Sequence, residues 1–120
     1  DLGDASRLRR AAGAARDAAG VAAPLSTDLD DPKARPYFVW DEEITVADLR
    51  QRLRSDDPDE RALWMDRVMR EARYQDVWKL LRLREVLEWL PRIDRHLGRS
   101  REFWHWLIQG WRDDGLIPRT

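Results

Sequence analysis

His96 and His105 are the only side chains whose ordinary proton affinity lies near neutral pH, so acid–base chemistry would have to come from them or from clustered carboxylates. The two fall in different predicted elements, and neither has the i, i+4 partner of a helical metal site. The absence of cysteine removes thiolate nucleophiles, thiolate zinc ligands and disulfides. The six glycines are dispersed rather than gathered in a phosphate-cradling loop, which excludes Walker-type and dinucleotide fingerprints. The expectation is a protein that is not an enzyme and carries neither a metal nor a cofactor.

What remains is binding chemistry. Asp41, Glu42 and Glu43, and again Asp56, Asp57, Asp59 and Glu60, are groups that bind a cation or imitate a nucleic-acid backbone, although carboxylates at helix starts are also favoured by the macrodipole alone. Arg67, Arg70, Arg73, Lys79, Arg82 and Arg84 are interleaved with Tyr74 and Trp78, a mixture that suits single-stranded nucleic acid. A sequence pI near 6.2 argues against direct nucleic-acid contact. Charge is nonetheless split: residues 28–60 hold five Lys/Arg against eleven Asp/Glu, and residues 61–101 hold eleven against six. Such a split steers association with a charged partner even when the whole chain is only -1.

Seven tryptophans in 120 residues exceed what a core of this size absorbs, so some belong at an interface. Trp64 and Trp89 sit on helical core stripes. Trp40, Trp104 and Trp111 are placed at or near a binding surface, and Trp106 falls away from the Phe103 and Leu107 stripe. An exposed Trp106 would call for a partner.

The elements that must position these residues are helical. Residues 1–23 are alanine-rich with spaced arginines, a helix by propensity from a cap at Asp4 to a stop at Gly20. Pro24 to Pro36 holds three prolines and no sustained periodicity, and reads as a linker. Tyr37 to Asp41 reads as an extended aromatic arm or single short strand. Thr45 and Asp48 resemble a capping box opening a short helix to Arg54. Asp57-Pro58-Asp59-Glu60 combines an N-cap, a first-turn proline and a glutamate placed to close a box, opening a helix over 58–73. Its predicted inner stripe is Ala62, Met65, Met69 and Ala72, widened by Leu63, Trp64 and Val68, with Asp66 facing away. Two short angled helices follow, one from about Asp76 and one over Arg84 to Leu90, which Pro91 is expected to disturb. Ser100 caps a last helix ending near Gly115. The fold class is thus all-α: a compact bundle of short helices with an extended arm and a separate N-terminal helix. The organisation is 1–36, helix plus linker, and 37–117, a helical partner-binding domain. No uncharged run approaches the about 20 apolar residues of a membrane span. That, with no cysteine, fits a cytoplasmic protein.

Phe38, Trp40, Asp41, Ile44, Trp64, Arg67, then Tyr74-x-Asp76-Val77-Trp78-Lys79 and the leucine-rich stretch from Leu80 to Pro91 carry a resemblance. Over residues 37–111 the chain resembles a family of small prokaryotic helical proteins encoded beside nucleotidyltransferases of the abortive-infection toxin type. The resemblance implies an antitoxin-like protein that binds a cognate nucleotidyltransferase and restrains its transfer of nucleotides to tRNA. With the surplus aromatics and the acidic segment, it points to Tyr37, Trp40, Asp41, Glu42, Glu43, Trp78, Lys79, Trp104, Trp106 and Trp111 as partner-binding residues. A small helical nucleic-acid-binding module is the alternative.

Overall fold

Three short-range side-chain turns organise the start of the described chain, which in this computed structural model covers residues 23–118. The helix expected between Asp4 and Gly20 lies outside those residues. The chain divides into two compact units, residues 1–49 and 50–120.

In the first unit, the segment read as a linker is folded by its own polar side chains. Ser26 Oγ accepts from Asp28 N at 2.9 Å, Asp28 Oδ1 from Asp30 N at 3.0 Å, and Asp31 Oδ1 from Lys33 N at 2.9 Å. The turns bring β1 (Leu25–Ser26) parallel to β2 (Arg35–Pro36), with Leu25 opposite Arg35 and Ser26 opposite Pro36. Arg35 Nη1 donates to the Ala23 carbonyl at 2.8 Å, and Leu29 is buried. Hydrophobic periodicity is blind to such a segment, because its order comes from local hydrogen bonds.

The extended aromatic arm is not found. The strand stops at Pro36, where Tyr37 N makes the last cross-strand bond to the Ser26 carbonyl at 2.9 Å, and Tyr37 and Phe38 enter a turn closed by Val39 N to the Pro36 carbonyl at 3.0 Å. Phe38 and Val39 are buried while Trp40 is turned out. Helix α1 (Val46–Arg52) starts as expected: Thr45 N donates to Asp48 Oδ2 at 3.0 Å and Asp48 N to Thr45 Oγ1 at 3.1 Å. The boundary between the units falls inside this helix.

The second unit holds α2 (Pro58–Glu71), α3 (Tyr74–Leu80), α4 (Leu83–Ile93) and α5 (Arg101–Asp113), with two single 3₁₀ turns, Asp94–His96 and Gly98–Ser100, before α5. Asp57 caps α2 by accepting from Asp59 N at 3.0 Å. Glu60 does not complete a box, because the Asp57 N–H it would satisfy donates to Ser55 Oγ at 3.0 Å. Leu81 and Arg82 are extended and separate α3 from α4, which gives the two short helices anticipated. Helix α4 runs through Pro91 to Ile93, since a proline this near the C-terminus removes only one of the last bonds. Ser100 precedes α5 but does not cap it: its hydroxyl donates to the Leu97 carbonyl at 2.6 Å. Gly98, at φ 58°, makes the left-handed step between the 3₁₀ turns. Gly115, at φ 77°, ends the chain's last helix, with Leu116 N bonded to Trp111 O at 2.9 Å and Gly115 N to Arg112 O at 3.1 Å.

On α2 the inner stripe is real but rotated. Ala62, Trp64, Met65, Val68 and Met69 are buried, Leu63 is 59% exposed, and Asp66 is inside. Leu63 lies on the side of Arg67 and Arg70, whereas Asp66 follows Ala62 by four residues and shares its face. Helix α5 is tied to α2 by Trp104, 2% exposed, whose Nε1 donates to the Met69 carbonyl at 3.0 Å. This corrects the surface position expected for Trp104. The coarse all-α expectation stands: among the described residues the chain is mostly helical with one two-residue strand pair, and no helix is long and apolar enough to cross a membrane.

Trp104→Phe removes that hydrogen bond and leaves a small void, so it is expected to lower unfolding free energy by about 2–3 kcal/mol. Trp106→Phe, two residues along the same helix and 70% exposed, is expected to change it by less than about 0.5 kcal/mol. Urea denaturation of the two variants side by side checks the contrast.

Candidate functional site

Five of the predicted binding residues lie in the first unit. Tyr37 is half-buried, with its ring edge-on to Phe38 at 5.2 Å. Trp40 is 65% exposed, and Asp41, Glu42 and Glu43 are exposed beside it in sequence. The turn that begins at Pro36 produces this arrangement, because it buries Phe38 and Val39 and drives the next indole outward. An exposed indole followed by three carboxylates offers a partner one apolar anchor and a run of negative charge.

The other five lie in the second unit, where α3 and α5 assemble the four tryptophans among them, with Tyr74 and Phe103, into a row of rings. Trp78 meets Trp104 at 5.8 Å, Trp111 at 6.1 Å and Tyr74 at 6.0 Å between ring centroids. Phe103 continues the row, 6.0 Å from Tyr74 and 6.3 Å from Trp106. Trp104 backs it from the core, and Tyr74, Phe103 and Trp106 are exposed. Ring pairs at these spacings are mutually attractive and rigid.

Trp78 and Lys79 also line a groove of about 690 Å³, together with Arg50, Arg54, Arg82 and Arg84. Of the basic residues singled out in the sequence, Lys79, Arg82 and Arg84 are thus brought together. Arg67, Arg70 and Arg73 do not line this groove. Arg50 and Arg54 were missed, because they join from α1 and the loop after it, some 25 residues or more ahead of the rest. Arg50 Nη1 donates to the Lys79 carbonyl at 3.3 Å, which fixes α1's end against α3. Asp76, buried under Lys79, pairs with Lys79 Nζ at 3.8 Å and Arg73 Nε at 3.4 Å.

The histidines take separate places. His105 Nε2 is hydrogen-bonded to Asp94 Oδ1, and Arg101 Nη2 lies 2.9 Å from Asp94 Oδ2. Burial works to raise the Asp94 pKa, but the bonds from His105 and Arg101 outweigh it and hold the carboxyl below its ordinary value. His96 lines a second depression, of about 380 Å³, with Asp59, Asp66, Arg70, Arg92 and Arg95. Asp66 Oδ1 has no hydrogen-bond partner among the described residues. Burial, only partly opposed by the charge of Arg70 and reinforced by that of Asp94, pushes its pKa from 3.8 to about 7. Sequence reasoning placed Asp66 outside, though its i+4 relation to Ala62 was visible. Among the described residues no three His, Asp or Glu side chains group as a metal site.

Comparison with protein-family models, with curated proteins and with solved structures gives no match for this chain.

Asp66 makes stability depend on pH in a stated direction. Its folded pKa is raised, so between about pH 4 and pH 7 the folded state holds a proton that the unfolded state has released, and stability falls as pH rises through that window. At about 1.4 kcal/mol per unit, the charged form carries a cost of up to roughly 4 kcal/mol. Asp66→Asn is expected to gain on the wild type from pH 4 to pH 8, reaching a few kcal/mol at the upper end. Urea titrations at the two pH values measure the gap, and a gap that does not change with pH would contradict the assignment.

Proposed function

We propose that this chain is an antitoxin-like protein of the prokaryotic cytoplasm, which binds a cognate nucleotidyltransferase of the abortive-infection toxin type and restrains its transfer of nucleotides to tRNA. The observation that carries the reading is Trp40, 65% exposed and followed by three exposed carboxylates, Asp41, Glu42 and Glu43. A toxin that acts on tRNA must present basic groups to a polyanion, and an acidic segment with an aromatic anchor competes for those groups. The indole supplies desolvated contact area, and the carboxylates supply long-range attraction and correct orientation. The neutralisation is by occupation, with the chain itself contributing no catalytic group.

Co-expression with the product of the neighbouring gene, followed by pull-down and a nucleotidyl-transfer assay on tRNA, tests this. The expected result is a stable heteromer in which transfer is blocked. Trp40→Ala is expected to weaken the complex by about tenfold or more. Reversal of Asp41, Glu42 and Glu43 to lysine should slow association most strongly at low salt. A complex whose affinity is untouched by both changes would assign these residues to solvation alone.

A further inference from the structure

We propose that the second unit binds single-stranded nucleic acid, with phosphates held along the 690 Å³ groove by Arg50, Arg54, Lys79, Arg82 and Arg84 and bases stacked on the ring row that Trp78 joins to it. This goes beyond the antitoxin reading and does not depend on it, since it concerns a different ligand and assigns Trp78, Lys79 and Trp106, counted there among the partner-binding residues, to nucleic acid instead.

Charge comes first. The whole chain is slightly acidic, but residues 50–120 alone hold sixteen Lys/Arg against thirteen Asp/Glu, and the groove concentrates that surplus. Its one carboxylate is Glu85, and that group is already engaged: Oε2 lies 3.0 Å from Arg61 Nη2, and Oε1 accepts from Arg82 N at 3.0 Å. Glu85 is thus paired with Arg61, outside the groove, and of the groove's five cations Lys79 is partly offset by Asp76 beneath it at 3.8 Å. Three separate segments supply them, and the Arg50 bond to the Lys79 carbonyl ties the first to the second. A polyanion is the ligand whose charge such a groove complements.

The rings decide which polyanion. Carboxylates of an acidic peptide would be satisfied by the arginines and would leave the aromatic row unused. Bases would use it, because each has a π-face that stacks on an aromatic side chain whatever its identity. Tyr74, Phe103 and Trp106 are 44%, 42% and 70% exposed, and they continue from Trp78 at the groove in ring-to-ring steps of 6.0 to 6.3 Å. A duplex keeps its bases stacked on one another and offers phosphates and base edges but no free base faces, so the surface fits a single strand.

The test is fluorescence anisotropy of the full chain with labelled twelve-nucleotide oligouridylate and oligothymidylate, a hairpin duplex of matched charge, and poly-glutamate as competitor. Both single strands are expected to bind more tightly than the hairpin. Neutralising four or five phosphates gives a slope of log affinity against log salt of about −3. The Arg82→Glu, Arg84→Glu double variant should lower affinity at low salt by about tenfold or more and flatten that slope by about one unit. Phe103→Ala with Trp106→Ala should lower affinity about tenfold and leave the slope unchanged. These four side chains are exposed, and circular dichroism with urea titration verifies that the variants fold. A salt-independent interaction, hairpin binding as tight as single-strand binding, poly-glutamate competing as well as oligouridylate, or indifference to the ring substitutions would each overturn the proposal.

Discussion

The hydrogen bond from Trp104 Nε1 to the Met69 carbonyl is the constraint on which the second unit depends. It satisfies a buried indole donor and a carbonyl near the C-terminal end of α2, where backbone acceptors lack helical partners, so one bond answers two demands. It also fixes the rotation of α5, and that rotation decides which α5 rings face outward. Phe103 and Trp106 are exposed because Trp104 is held inside. Trp78 packs edge-on against the same indole, and through it the wall of the basic groove is set by a core contact.

Around that anchor the unit uses charged side chains as much as apolar ones. Arg61 sits over the Trp89 ring at 4.6 Å while pairing with Glu85, and Arg52 sits over Trp64 at 4.9 Å. Such contacts let long basic side chains cover apolar rings and keep their heads near water. The exception is Asp66, a carboxyl drawn inside by its place on the buried face of α2 without a hydrogen-bond partner for Oδ1 among the described residues. Its ordinary response is to hold its proton to higher pH.

Features that depend on a few neighbouring residues were legible in the sequence. The Thr45 and Asp48 box, the Asp57-Pro58 start and the Gly115 stop each rest on bonds that span five residues or fewer. Ser55 shows how local reading still fails, because a second hydroxyl within reach of Asp57 N displaced the partner expected at Glu60. What was not legible involves distance. Trp104 and Met69 are 35 residues apart, and the groove draws on α1, α3 and α4 together. Helical periodicity assigns a face to each residue, but it does not say which of two plausible faces another helix will cover. For α5 that ambiguity misplaced Trp104, and for α2 it misplaced Leu63 and Asp66.

The uneven burial of the indoles has an optical consequence. Trp64 and Trp104 are 5% and 2% exposed, whereas Trp40 and Trp106 are 65% and 70% exposed. The chain's intrinsic emission is therefore a sum of a blue, quencher-resistant component from the interior and a red, quencher-accessible one from the surface. The red component carries one indole in each unit. Occupation of either surface would shift and protect part of it while the blue component stays fixed, so the molecule reports that one of its faces is covered without an added label.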